Sequence, residues 1–544
     1  MGYCGEKTSR EFRLAFLWVV FSLSLGCSQD ASSPMSDGAL SEDAGPRDSR
    51  IEMSLDGDVS TDASAPSPKL DGRVLRDVAT PADMRVTSDV ATPADMRMTS
   101  DVATPADMIA MSDAAGGPAQ RTACDRLTER VQGSAGRILR VRPAGPEMVQ
   151  LDGREMTLRQ AVNEAADGDT VLLMDGVYGL PEAADGGYSG IYATVANVTI
   201  RGESLDASRV VIDSGYRGHG GSSGAITIDA PGVVLANVTV RRSIFHLVHL
   251  LGNADGVTVH NVRLLDGGQQ FLKSSGGDNH IDDVVVSCSD FRMTDEGRAN
   301  VWGYGGRSTH CYTGGIDSHV GRGWHIHDNS FRGIHCTADE SPRPAHGRFP
   351  EMRGGESYVG GLAEHAIHMW DAPEDGGHTI ERNVITDCAR GIGIGMRNSV
   401  YDTTIRNNVV SSRFPGGGQH DVGISIERGH NIGLFHNTVI FTHVDGYANG
   451  IEVRWDETGD VVVRGNLLNR LIRLRNGAEA MQAHNREDAS LPWFRAPDEG
   501  DLHLRGCPAE LVEGIPAAGF VIDDMDEDER PELATLGADQ CSQP

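Results

Sequence analysis

Residues 383–386 read Asn-Val-Ile-Thr, 408–411 Asn-Val-Val-Ser, 437–440 Asn-Thr-Val-Ile and 466–468 Asn-Leu-Leu. Four times an asparagine opens a short apolar stretch, at intervals of 25, 29 and 29 residues. A period of that length marks a repeat architecture in which each unit is one coil of a solenoid. The units hold strands of a few residues punctuated by Gly and Asn, not helices. Strands from successive coils then pair in parallel, which makes a parallel β-helix, right-handed as parallel crossovers almost always are. An asparagine turned inward at the same corner of each coil would hydrogen-bond its copies above and below. Asn237, Asn261 and Asn329 also stand beside apolar pairs and extend the series towards the N-terminus.

A second family of strands aligns on an inward aliphatic. It runs Ile191, Ile226, Val248, Leu272, Ile316, Ile367, Ile392, Ile424, Ile451 and Ile472, which gives roughly ten coils. Side chains alternate along a strand, so the next residue of each faces outward. That outward column reads Tyr192, Thr227, His249, Lys273, Asp317, His368, Gly393, Ser425, Glu452 and Arg473. Two residues further on, a parallel column reads Thr194, Asp229, Leu251, Ser275, His319, Trp370, Gly395, Glu427, Arg454 and Arg475. Neighbours in a column should stand about 4.8 Å apart.

The solenoid needs closing at its N-terminal end, where unpaired strand groups and apolar interior would otherwise be exposed. Thr157 to Ala166 reads as an amphipathic helix, with Leu158, Ala161, Val162 and Ala165 on one face. It leads into a buried strand near Thr170. The helix-then-strand opening resembles the cap of pectate-lyase-like β-helices.

What precedes the cap reads as an address and a tether. Lys7, Arg10 and Arg13 form a positive start, and Leu14 to Gly26 is too short an apolar run to span a bilayer. The run ends in Ser24-Leu25-Gly26-Cys27, which resembles the lipobox of bacterial lipoproteins with Ser24 where Leu is usual. By that resemblance residues 1–26 are a signal peptide and Cys27 carries the lipid. Ser28 after it implies an outer-membrane anchor, periplasmic or at the cell surface. Residues 27–120 lack Phe, Trp and Tyr and repeat a 12-residue unit from Asp77, Asp89 and Asp101. Such a stretch cannot bury a core and reads as a disordered linker.

The chain of 544 residues has a net charge of −30. That charge argues against nucleic-acid binding and leaves the lipid as the membrane contact. Without Cys4 and Cys27, seven cysteines remain, an odd number for an oxidising compartment. No Cys-x-x-Cys is present, so a zinc ribbon is not indicated.

Asp501-Leu-His-Leu, then Asp523-Asp-Met-Asp-Glu-Asp-Glu-Arg-Pro, then Leu536-Gly-Ala-Asp resembles the ending of bacterial right-handed β-helix repeat proteins. Cys311-Tyr-Thr-Gly-Gly-Ile-Asp-Ser-His, Glu364-His-Ala-Ile-His-Met-Trp and Ala389-Arg-Gly-Ile-Gly-Ile-Gly are similar to one secreted group of that superfamily. The resemblance spans about residues 150–544 and implies an all-β solenoid over 121–500 with a closing segment at 501–544. It implies no single activity, because lyases, hydrolases, epimerases and adhesins share the fold.

Coil spacing singles out one place. The outward column advances by 44 residues from Lys273 to Asp317 and by 51 from Asp317 to His368, against 21–35 elsewhere. Long insertions beside a rigid rung commonly build a binding wall. These carry Trp302, Tyr304, Arg307 and His310, then Arg343, His346, Arg348, Arg353 and Tyr358. The rungs between them offer His249, Lys273, Asp317, His319 and His368, with Trp370 as a stacking surface for a sugar. Glu427 and Arg454 continue the same face as candidate substrate-binding groups.

Uronate lyases and C5-epimerases need a base for the C5 proton and a cation for the enolate. Asp317-Ser-His319 loosely resembles the Asp-Pro-His-Asp signature of alginate C5-epimerases, with Ser318 for Pro and Val320 for the closing acid. On that resemblance His319 is the base, Asp317 orients it, and Lys273 or Arg390 neutralises the carboxylate, with His368 beside them. A divalent metal on Asp317, His319 and His368, or on His325 and His327, is an alternative. So is a non-catalytic glycan-binding, structural or adhesive surface. A hydrolase of the polygalacturonase kind ranks lower, since no paired-Asp motif is present. Cys311 with Cys336 and Cys507 with Cys541 are the expected disulfides, and the expected partner is a polysaccharide, bound by a monomer.

Overall fold

In this computed structural model Cys124 and residues 129–541 are described. The exceptions are 134–135, 144–155, 184–187, 219–223, 277–278, 302–310, 337–362, 374, 415–419, 444–447, 512–513 and 517–518. The expected signal peptide, the lipid-bearing Cys27, the linker and the residues singled out in the two long insertions lie outside the described residues, while helix Asp295–Ala299 of the first insertion is described. Among the described residues no helix is long and apolar enough to cross a membrane.

The chain winds as a right-handed parallel β-helix with three parallel ladders. One ladder stacks Thr170–Leu173, Thr199–Gly202, the first half of Val234–Arg241 and onward to Met481–Ala483. A second stacks Gly176–Gly179, Val210–Asp213, the second half of Val234–Arg241 and onward to Leu467–Leu468. The third is a separate ten-stranded sheet from Ile191–Ala193 to Ile472–Arg475. Its register is the column read from the sequence: Tyr192, Thr227, His249, Lys273, Asp317, His368, Gly393, Ser425, Glu452 and Arg473 follow one another strand by strand.

Stacking drives the fold. Val171, Ile200, Leu235, Val259, Val286, Ile326, Ile380, Ile405, Leu434 and Val463 form one continuous inward column, all fully buried. Each such burial contributes about 1.5–3 kcal/mol. Phe291 and Phe331 stack with ring centroids 4.5 Å apart. Helix Leu158–Glu164 closes the N-terminal end. Thr157 caps it through a reciprocal box with Gln160, and Leu158, Ala161 and Val162 are buried.

The asparagine ladder differs from the sequence reading at both ends. Asn329, Asn383, Asn408, Asn437 and Asn466 do form it, each Oδ1 accepting the backbone N–H of the coil before at 2.9–3.1 Å. Asn237 and Asn261 stand outside this ladder, although they do bond each other one coil apart, Asn261 Nδ2 donating to Asn237 Oδ1 at 2.8 Å. They occupy the preceding corner position with φ of 54° and 50°, where Asp328, Arg382, Asn407 and His436 sit in later coils. Val238 and Val262 take the inward place there. Asn is among the few residues that tolerate the left-handed conformation, so it recurs at both positions for different reasons. Asn485 extends the ladder by one more rung.

The described residues of the closing segment pack along the side of the solenoid. The segment begins with a hairpin of Phe494–Ala496 and Asp501–Leu504 that straddles residue 500. Phe494, Leu502, Leu504 and Met525 pack on Val384, Val409, Ile440 and Leu467 along the side of the solenoid. Buried Arg530 ties it down by donating to Asn407 Oδ1 and to the Gly537 and Ala538 carbonyls. Cys507 and Cys541 are bonded, with Cα atoms 5.2 Å apart. Cys311–Cys336 is bonded as well, Cα to Cα 6.1 Å. Cys124 bonds Cys288, which pins the N-terminal segment to the solenoid and leaves buried Cys388 as the free thiol among the described residues.

Candidate active site

The third ladder carries His249, Lys273, Asp317 and His368 on four successive strands, and the register alone brings them together. Lys273 Nζ lies 2.6 Å from Asp317 Oδ2 and also donates to His319 Nε2. His319 Nε2 is 3.3 Å from the same carboxylate oxygen. His368 Nδ1 faces the other oxygen, Asp317 Oδ1, at 3.4 Å, too loosely directed to count as a hydrogen bond. The Trp370 ring stands 5.1 Å from that of His319 and 5.6 Å from that of His368. The Arg397 guanidinium lies over the same indole, 6.0 Å from its centroid.

The group faces outward in the pleat, yet most of it is buried. Lys273 is 2% exposed, Asp317 3% and His368 1%. Only the His319 and Trp370 side chains reach the surface, so they form the rim. Burial sets the electrostatics. It pushes the Asp317 carboxyl up, but Lys273 and His319 outweigh it and hold the group well below the usual carboxylate range. Burial pushes His249 down to about 3, helped by Lys273. Burial also opposes the charged form of His368, but Asp317 and then Glu364 outweigh it, so His368 is raised. A neutral imidazole, an ionised carboxylate and a charge-prone imidazole therefore share one patch.

The remaining candidates are placed as follows. Arg390 Nε pairs with Asp421 of the next coil at 3.2 Å and its Nη1 donates to the Ala363 carbonyl of the coil before, so it is committed to neighbouring coils. Glu427 and Arg454 pair with each other at 3.0 Å. The metal set Asp317, His319 and His368 is not assembled, because the Lys273 ammonium already occupies the point between Asp317 and His319. His325 and His327 are stacked on one face, 4.0 Å apart, but each is engaged by a carboxylate, Glu381 at 2.8 Å and Asp328 at 2.6 Å.

Two neighbours were missed. His365 opens the strand His365–Met369 that carries His368, with Glu364 just before it, and strict alternation turns His365 away from His368. Their rings nonetheless lie 4.6 Å apart. Ala366 and Ile367 both face the interior, which breaks the alternation. The signal was a column of small residues: a Cβ on Gly391, the next rung after Ala366, would meet the Gly423 carbonyl at 2.0 Å.

No protein family description matches this chain, and no curated protein matches it in sequence. Solved structures do align with it. Pectate lyase Pel9A aligns over 75% of this chain and 97% of its own, at 12% identity and a TM-score of 0.39. XylC in complex with xylose covers 74% of this chain and 98% of its own, at 11% identity and a TM-score of 0.40. A PL6 alginate lyase complex with trisaccharide covers 71% and 94%, at 15% identity and a TM-score of 0.30. These are similarities of winding, and the parallel ladders of this chain define its fold without them.

Proposed function

We propose that this β-helix acts on an acidic polysaccharide, and that the Lys273–Asp317–His319 group is its active site. One observation carries the reading: an ammonium stands within hydrogen-bonding reach of both a carboxylate and an imidazole, beside an indole at the rim. That combination suits proton abstraction next to a carboxylate. His319 takes the C5 proton of a uronate residue, Asp317 orients the ring, and Lys273 balances the charge that develops on the substrate carboxylate. Trp370 stacks on a sugar face. In a lyase the C4–O bond then breaks, with the electron pair leaving on oxygen. In an epimerase a proton returns to the opposite face of C5.

Alginate, pectate and glycosaminoglycans tested for a rise in ultraviolet absorbance and for C5–H exchange with deuterium check both versions. No change on any of them refutes the enzyme. Burial of Lys273, Asp317 and His368 favours a second reading, a non-catalytic glycan-binding or adhesive surface in which the ion cluster is structural. It requires glycan affinity that survives His319→Ala and is lost in Trp370→Ala.

We also propose that Cys27 anchors the chain by lipid to the outer membrane. Release of a Cys27→Ser variant into the soluble fraction supports this, and unchanged membrane association overturns it.

A further inference from the structure

Glu364, His365 and His368 offer ligand atoms that all lie within 4.8 Å of one another, and all three side chains are buried. We propose that these three hold a single transition-metal ion of the zinc class, at a site separate from the Lys273–Asp317–His319 group but adjoining it through His368.

Four observations support it. The donors are two imidazoles and one carboxylate, a set that suits zinc and its first-row neighbours better than calcium. The imidazoles have donor capacity to spare: His365 Nδ1 and His368 Nδ1 are buried without a hydrogen-bond partner among the described residues. Buried polar atoms in native proteins nearly always have partners, so two on one strand call for a ligand. A second-sphere partner is also in place. Ser425 Oγ meets His365 Nε2 at 3.2 Å, on the ring nitrogen opposite the free Nδ1. A hydroxyl partner of this kind fixes the ring and tautomer of a metal-bound histidine. Finally, the backbone makes room. Gly393 stands directly above, where a Cβ would lie 2.5 Å from His365 Nε2.

The contrast with the neighbouring group is electrostatic. Between Asp317 and His319 a lysine ammonium supplies the positive charge, and a cation has no place there. Glu364 makes no ion pair among the described residues: Arg390 and Lys273 act on it only through space, and Arg390 is paired with Asp421.

The proposal does not rest on the polysaccharide reading, and its test does not use activity. The full chain is stripped with a chelator, dialysed against Zn2+ alone and analysed for bound metal. About one tightly held Zn2+ per chain is expected, with a thermal midpoint several degrees above the stripped protein. Co2+ in its place should give visible absorption bands of a low-symmetry site with nitrogen ligands. Glu364→Gln, chosen because it keeps shape, and His365→Ala should each lose the metal and the bands while keeping the circular dichroism of the solenoid. Asp526→Asn, in the acidic group Asp524, Asp526 and Asp539 of the closing segment, should lose neither. Absence of stoichiometric metal in the folded wild type overturns the proposal. So does metal that persists in Glu364→Gln and His365→Ala but vanishes in Asp526→Asn.

Discussion

Replacing Lys273 by Met keeps the aliphatic stem and removes the charge, and so isolates what the ammonium does for Asp317. The pair is 2.6 Å apart with side chains 3% and 5% exposed. At an effective dielectric of about 20, unit charges at that distance attract by about 6 kcal/mol. Desolvation of both ions offsets much of this in the wild type. The variant keeps the desolvation of Asp317 and loses its main compensation, so a loss of about 3–5 kcal/mol is expected. His319 and His368 sit on the same carboxylate and can take up charge in its place, which puts the expected value near the lower end. The pH dependence has a definite sign. Asp317 is depressed in the folded wild type, so its stabilising contribution is present above the unfolded carboxylate range and is lost as pH falls through the folded value. Without Lys273 that depression is relieved, and Asp317 can be protonated in the fold. Lys273→Met should therefore be most damaging near pH 8 and approach the wild type near pH 4. Reversible urea unfolding followed by circular dichroism at both pH values measures this. A variant within about 0.5 kcal/mol of the wild type at pH 8 refutes the reasoning. So does a Lys273→Met/Asp317→Leu double variant less stable than Lys273→Met, since removing both charges should restore stability.

Asn408→Ala should cost about 3 kcal/mol or more, because it strands the N–H of Asn383 and the Ile380 carbonyl in the interior. The same change at Asn485, half-buried at the ladder's end, should cost about 1 kcal/mol in the same unfolding assay. Breaking Cys311–Cys336, a separation of 25 residues, should lower stability by about 3.5 kcal/mol on the chain-entropy estimate. Unfolding of the Cys311→Ser/Cys336→Ser protein checks it. In the closing segment His503 is pushed up to about 9, first by its bond to Asp526 and then by Asp501, against burial. Its contribution is fully present below about pH 6.5 and fades as pH rises through about 9. The stability gap between wild type and Asp526→Asn should shrink over that range, and a gap that widens contradicts the assignment.

Much was determined by the sequence alone, because a solenoid is quasi-one-dimensional. Each coil touches only its neighbours, so a period and an alternation place every rung. The inward aliphatics from Ile191 to Ile472 were enough to predict a register of ten strands. That register brings Lys273, Asp317 and His368 onto one face although the first and last stand 95 positions apart in the chain (273 to 368). What failed were features that local pattern does not encode. Asn237 and Asn261 look like ladder members, because a left-handed corner and an inward amide both favour asparagine. His365 joins His368 because two consecutive small or aliphatic residues turn inward, which a strict period of two forbids. Burial of the cluster was equally invisible, since alternation assigns a face but not what covers it. The closing segment reads as an end cap by its position, yet packs on the side, where Val384, Val409 and Leu467 leave an outward apolar strip. Local periodicity is written in the chain; the meeting of Cys124 with Cys288, or of Arg530 with Asn407, depends on distances that only the wound solenoid creates.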